Sequence, residues 1–274
     1  MKVWKNTSTL DGFDNGLIFT KSKNQANIAL MGGKTIDLNE FPNLRGIFRA
    51  GIGRDNVPEK EAEEKGIVVR YPSDGTINII YEETATFTCS FIFRMLYGNI
   101  GTLDPWVKNP RQKLSQKTLL IIGNGNIGSR VAELMNPFMK VTIFDILCNE
   151  AADLQPLMHQ ADCVSIHIPK SDENISFIDG KKLSWMKSGA ALVNTSRGEI
   201  VDERALYREI QSDRLKAAFD VYWREPYYGK LNEFYPDHFF MTPHVASTCA
   251  EFLKGCRIDL NNLIIVLSKR VSEN

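Results

Sequence analysis

Arg197 lies in Thr195-Ser196-Arg197-Gly198, directly after the short apolar run Ala190 to Asn194. That run reads as a strand, and open parallel sheets bind ligands outside the carboxyl ends of their strands. A guanidinium there presents a planar fork that matches a carboxylate bidentately, which lysine does not copy. His244 follows Pro243 and the apolar piece Phe239-Phe240-Met241, again at a strand end. Histidine is the side chain whose ordinary ionisation falls near working pH, so a positioned one suits proton transfer. Asp220 ends the run Leu215 to Phe219, and His167 ends the run from Cys163. His167, residues 194–198 and Asp220 are thus expected around one crevice.

A second constellation runs from Lys117 to Asp145. The β-branched run Thr118 to Ile122 reads as a strand buried on both faces. It ends at Gly123, Gly125 and Gly128, the G-x-G-x-x-G spacing of a dinucleotide site. The first glycine permits a tight turn, the second lets backbone approach a pyrophosphate, and the third lets the next helix pack closely on the strand. Ile127 to Met135 has helical spacing, and its N-terminus, with Asn126 and Ile127, offers unpaired N–H groups and a positive dipole end to phosphates. A strand from Val141 to Phe144 then leads to Asp145, about 20 residues beyond the first glycine, where an acid reaches the adenosine ribose. Strand, glycines, helix, strand and terminal acid together predict an NAD site. No arginine follows among Ile146, Leu147 and Cys148 to neutralise a 2′-phosphate, so NAD(H) is expected over NADP(H).

The elements that must position these residues form an α/β chain long enough, at 274 residues, for two domains. Leu44 to Arg49 reads as a strand entering the turn Ala50-Gly51-Ile52-Gly53, whose glycines expose backbone N–H groups to a small ligand. Pro58 to Lys65 reads as a charged helix, Ile67 to Arg70 as a strand and Pro72 to Gly75 as a loop. A helix over Glu82 to Leu96 carries the chain from the first lobe to the second. Trp106 is read as a packing anchor, as are Trp223, Tyr227 and Tyr228, with His159 and His238 at the surface. Asp202 caps a helix over Glu203 to Gln211. Val245 to Leu267 reads as a final helix returning to the first lobe, whereas residues 1–45 carry no periodicity that assigns elements.

Lys plus Arg and Asp plus Glu both number 33, and no basic block appears, which argues against nucleic acid as a partner. The chain lacks a signal-like apolar core and any apolar run long enough for a membrane span, so a cytoplasmic protein without membrane partner is expected. Five scattered cysteines show no metal-ligand spacing and are read as free buried thiols, with no metal implied.

Several pieces together resemble the D-isomer-specific 2-hydroxyacid dehydrogenases over roughly Gly46 to Glu251. They are RAGIGRDNV (Arg49 to Val57), the glycine motif with Asp145, HIP (His167 to Pro169), LVNTSRGEIVDERAL (Leu192 to Leu206), AAFDVYWREP (Ala217 to Pro226) and TPHVAS (Thr242 to Ser247). The resemblance implies an α/β fold in which a Rossmann-type doubly wound parallel sheet is inserted in a smaller flavodoxin-like substrate domain. It places the substrate domain at residues 1–84, the NAD-binding domain at 85–247 and the returning helix at 248–274. It implies that Arg197 binds the carboxylate and keto oxygen of a small 2-keto or 2-hydroxy acid, that His244 is the acid/base and that Glu225 orients it. It further implies that Asp220 touches the nicotinamide amide, and that Ile52 and Gly53 hold the carboxylate through backbone N–H groups. His167, Pro169 and Thr195 join the glycine motif around the cofactor, and a homodimer is implied. The first lobe is shorter than that pattern, and either Glu82 or Glu83 matches its single acid after Pro72, with Glu83 the better fit. A formate dehydrogenase-type site would pair the histidine with glutamine, against which Glu225 argues. The fold is also used by NAD(H)-binding corepressors, which act without turnover.

Overall fold

A computed structural model describes residues 1–98 and 100–272 of the chain. The chain divides into two units, Met1–Ile80 with Ser247 onward, and Tyr81–Ala246. The first unit opens with β1 (Lys2–Lys5), β2 (Ile18–Phe19), β3 (Ile28–Met31) and β4 (Gly46–Arg49). It continues with α1 (Glu59–Glu64), β5 (Val68–Arg70) and the start of α2 (Asp74–Leu96), a continuous helix that crosses the boundary at Ile80. All pairings are parallel, in the order β2-β1-β3-β4-β5, the flavodoxin-like arrangement. Alternate residues serve two cores, because side chains along a strand point to opposite faces. Ile28, Leu30 and Phe48 pack on one face, and Ala29, Met31 and Ile47 on the other.

The second unit holds the hairpin β6 (Gly101–Thr102) and β7 (Val107–Lys108), then β8 (Thr118–Ile122), α3 (Asn126–Met135) and β9 (Lys140–Phe144). After α4 (Leu154–Gln160) come β10 (Cys163–Ile166), α5 (Gly180–Trp185), β11 (Ala191–Asn194), α6 (Glu203–Gln211), β12 (Lys216–Phe219) and β13 (Phe239–Met241). The main sheet is six-stranded and parallel, in the order β13-β12-β11-β10-β8-β9. Leu120, Ile122, Val164, Ile166 and Leu192 face the helices α4 to α6, and Leu119, Ile121, Cys163 and Val193 face α2 and α3. Burial on both faces is why these strands read as continuous apolar runs. Asp202 accepts from Ala205 N at 2.9 Å and caps α6, a contact worth about 1 kcal/mol.

The last helix, α7 (Ala250–Ser272), returns to the first unit with Phe252, Cys256, Leu260, Leu263 and Leu267 on its core face. It begins five residues later than its apolar spacing indicates, because Val245 and Ala246 donate elsewhere. α2 in turn begins at Asp74, within the stretch read as a loop. Its first turn is held by Asp259 of α7, whose Oδ2 accepts from Ser73 N at 2.9 Å and Thr76 Oγ1 at 2.9 Å. Trp106 is 74% exposed and Tyr228 86%, so neither is a packing anchor within the chain. Of the cysteines Cys89, Cys163 and Cys256 are buried free thiols, whereas Cys148 is exposed and Cys249 half-buried. Among the described residues no helix is long and apolar enough to cross a membrane.

Candidate functional site

At the end of β8 the chain turns through Gly123, whose φ of +96° lies in the left-handed region that favours glycine. A Cβ on Gly128 would lie 1.9 Å from the Gly123 carbonyl oxygen, so α3 packs this closely on the turn only because residue 128 has no side chain. Gly125 is exposed, with open space where a Cβ would be, and it precedes the first helical residues Asn126 and Ile127 without a side-chain cap. The unpaired N–H groups of that helix end are thus left for an anion. Asp145, at the end of β9, accepts from Asn124 N at 2.7 Å and from Leu147 N at 2.9 Å. Those bonds fix the carboxylate beside the glycine turn and leave lone pairs for a ribose diol. Turn, open helix end and strand-end acid fit a dinucleotide.

The loop after β11 carries Arg197. Asn194, with no exposure, closes it by donating from Nδ2 to Arg197 O at 2.9 Å and accepting from Ser196 N at 2.9 Å. Ser196 Oγ donates to Ile168 O at 3.0 Å, and Thr195 is bonded to Thr88 of α2 at 2.8 Å. A Cβ on Gly198 would sit 2.1 Å from the carbonyl carbon of Tyr222, so the glycine lets the segment leading to Glu225 lie against the Arg197 loop.

Glu225 and His244 meet as the resemblance implies. His244 Nδ1 is 3.0 Å from Oε1 and 2.9 Å from Oε2 of Glu225. Burial works to raise the Glu225 carboxyl, but the hydrogen bond and charge of His244, the Tyr222 N–H and Arg197 outweigh it and hold it below 4.5. The influence of Arg197 on that carboxyl ties the third residue to the pair. His244 itself has a φ of 55°, a left-handed conformation uncommon outside glycine and often found at functional positions. What holds it there is Asp220. This fully buried carboxylate accepts from Thr242 Oγ1 at 2.5 Å, Val245 N at 2.8 Å and Ala246 N at 2.8 Å. Desolvation raises the Asp220 carboxyl despite those bonds and the nearby His244 charge.

His167 is half-buried with Nε2 2.8 Å from Ser165 Oγ, and desolvation pushes it down to about 3, so it is neutral at working pH. Its carbonyl lies against the Gly123 turn, and Pro169 beyond it is exposed. Ile52 and Gly53 are half-buried in the first unit, after Gly51, whose φ is +145°. Glu82 is exposed and Glu83 half-buried, both on α2. The sequence reading placed Asn194 at the crevice without a role and missed Thr88, and both position the Arg197 loop. Asn194 carried a signal, an Asn closing a strand just before a turn, where its amide can bond the backbone two or three residues on. Thr88 carried none.

Residues 102–246, more than half of the chain, match the model of the D-isomer specific 2-hydroxyacid dehydrogenase NAD binding domain. The chain belongs to that dehydrogenase family. It is 32% identical to a hydroxypyruvate reductase of Thermotoga maritima over 231 residues, covering 80% of this chain and 76% of that protein. It is 32% identical to a glyoxylate reductase of Aeropyrum pernix over 268 residues, covering 86% and 77%. Its fold is similar to that of a D-lactate dehydrogenase from Aquifex aeolicus, with a TM-score of 0.79 at 23% identity over 100% of this chain and 97% of that one. A phosphoglycerate oxidoreductase from Vibrio cholerae gives 0.81 at 21% over 98% and 99%. The chain is therefore an NAD-dependent oxidoreductase of the 2-hydroxyacid dehydrogenase family, and the corepressor reading is not favoured.

Proposed function

We propose that the chain interconverts small 2-keto and D-2-hydroxy acids, with Arg197 holding the acid, His244 moving the proton and Glu225 orienting His244. One contact carries this reading, the double approach of both Glu225 oxygens to His244 Nδ1 at 2.9 and 3.0 Å. It occupies Nδ1 and leaves Nε2 as the nitrogen that faces substrate. A carboxylate on one nitrogen favours the charged imidazolium, the form that gives a proton to an oxygen gaining negative charge. Arg197 would bind the carboxylate through its fork and polarise the keto oxygen. In the oxidative direction His244 takes the hydroxyl proton back. When bound, NAD(H) supplies the hydride chemistry.

The first unit serves as the substrate domain, with the Ile52 and Gly53 N–H groups on the carboxylate. The second serves as the cofactor domain, with Gly123, Gly125, Asn126, Ile127 and Gly128 on the pyrophosphate and Asp145 on the adenosine ribose. His167, Pro169 and Thr195 lie on its nicotinamide side. Asp220 acts there by holding the loop 242–246. A cytoplasmic homodimer accords with the metabolic relatives and with the exposed apolar residues of the β6–β7 hairpin, Leu103 at 81% and Trp106 at 74%. Steady-state NADH oxidation with glyoxylate, pyruvate, hydroxypyruvate and bulkier keto acids tests the proposal. Turnover of at least one is expected, and none with any member of the series would overturn it.

A further inference from the structure

We infer that Thr88 is a positioning residue of the reaction, acting through Thr195 on the loop that presents Arg197; this rests on the reading that Arg197 engages the keto acid. Thr88 lies on α2 with no exposure, among the apolar residues Ala85, Cys89 and Ile92. A hydroxyl in such surroundings is costly unless it is bonded, and valine would fill the same space. Thr88 Oγ1 is 2.7 Å from Thr84 O and 2.8 Å from Thr195 Oγ1.

The proton directions follow from those oxygen positions. A carbonyl has no proton to give, so a 2.7 Å contact between the two oxygens requires the Thr88 proton to point at Thr84 O. A hydroxyl has only one proton. Thr195 must then donate to Thr88, and its lone pairs turn away from α2. This sets the rotamer of Thr195 two residues before Arg197. Ser196 is tied to Ile168 O at 3.0 Å, and Asn194 to the loop's own backbone at 2.9 Å. Three consecutive side chains are thus anchored on three different supports before the chain reaches Arg197. Thr88 is the support that comes from outside the strand-end loops, on a helix that forms one side of the sheet.

Thr88→Val keeps the shape and removes the acceptor, leaving the buried Thr195 proton without its partner. Expected is a fall of roughly tenfold in kcat/KM for the best keto acid, mostly as a rise in KM, since a displaced fork binds the carboxylate less well. The Kd for NADH, read by fluorescence titration, is expected to rise less than the KM for the keto acid, because Thr195 lies on the nicotinamide side but the glycine turn and Asp145 are untouched. Thr88→Ser restores the hydroxyl and should restore KM. Should Thr88→Val not fold, Thr88→Cys offers similar volume with a weaker donor and acceptor, and the same KM rise is expected. A valine variant with wild-type KM and only a lowered Tm would overturn the inference, as would a serine variant as impaired as valine. Wild-type protein that turns over no keto acid defeats the functional reading instead, so the two failures are told apart.

Discussion

The loops after β11 and β13 each carry a residue assigned to the chemistry, and each is held by a polar side chain with no exposure, Asn194 in one and Asp220 in the other. The Asn194 side chain is neutral and local, bonding to residues 196 and 197 of its own loop. Asp220 is an acid that reaches across to residues 242, 245 and 246 of another loop. The first solution suits arginine, whose charge is permanent and whose backbone here is extended, with φ −146° and ψ 140°. The second suits a histidine whose backbone sits at a φ of 55°, a conformation that needs strong restraint from outside its own segment. The loop of the proposed anion-binding group is thus closed by its own asparagine, with Thr88 and Ile168 as outside supports, whereas the loop of the proposed proton-transfer group is closed by an acid from another strand end.

The comparison is broken most directly by His244→Ala. Proton transfer by a positioned group contributes about 10²- to 10⁴-fold, so kcat for keto acid reduction should drop by that factor with NADH affinity kept. A variant within a few-fold of wild type would leave the Asp220 loop without a catalytic purpose. Next in size is Arg197→Lys, which keeps the charge and loses the fork. A loss of roughly 10²-fold in kcat/KM is expected, about 2.7 kcal/mol, again with NADH binding nearly unchanged. Normal turnover there would make the Asn194 clasp a purely structural turn.

A second strand-end acid, Asp145, sharpens the contrast because it is only half-buried and keeps capacity for a ligand. Facing a 2′-phosphate it should favour NADH over NADPH by at least about tenfold in kcat/KM, a difference of roughly 1.4 kcal/mol. Equal efficiency with both cofactors would remove the acid from recognition.

The smallest expected effect is that of Glu225→Gln. Removing the carboxylate that orients His244 through Nδ1 should lower kcat for reduction by less than His244→Ala does, with NADH affinity kept. An unchanged kcat would separate Glu225 from the work of the histidine. Acid unfolding gives a second readout of opposite sign for the two carboxyls. Glu225 ionises below 4.5 in the folded chain, so its contribution is full above that value and is lost as pH falls through the folded one. Asp220 is raised above 3.8, so the unfolded chain releases that proton first and stability declines as pH rises from 3.8 to the folded value. Glu225→Gln should therefore flatten the acid-side loss of stability.

The six-stranded sheet, β4, β5 and the site loops were legible where the signal is local, whereas β1, β2 and β3 lie in residues 1–45, where short apolar pieces between polar turns carry no periodicity that assigns elements. β8, α3 and β9 follow from β-branched runs, glycine spacing and a terminal acid, and α6 begins at the residue after its capping Asp202. The start of α2 was not, since Asp74, Gly75 and Thr76 are weak helix formers and the acid that secures them, Asp259, is far along the chain. The start of α7 was misread for the reverse reason. Val245 and Ala246 have helical spacing, but their N–H groups are drawn to Asp220. Asp220 was expected at the nicotinamide, and what a sequence cannot display is that both its oxygens are engaged inside the unit. The exposure of Trp106 is likewise invisible to a reading in which large aromatics pack within their own chain.

The Asp220 clasp has a consequence for time scales. The amide protons of Val245 and Ala246 belong by backbone shape to a loop, where hydrogen exchange with solvent is ordinarily quick. Here each is bonded at 2.8 Å to a carboxylate with no exposure, at the edge of the sheet core. They can meet solvent only when Asp220 is itself uncovered, so their protection should approach that of β12 rather than that of the neighbouring exposed segment. His244, the proposed proton-transfer group, is thereby carried by a backbone expected to open as slowly as a central strand, so that its reach is set by rotation of the side chain alone.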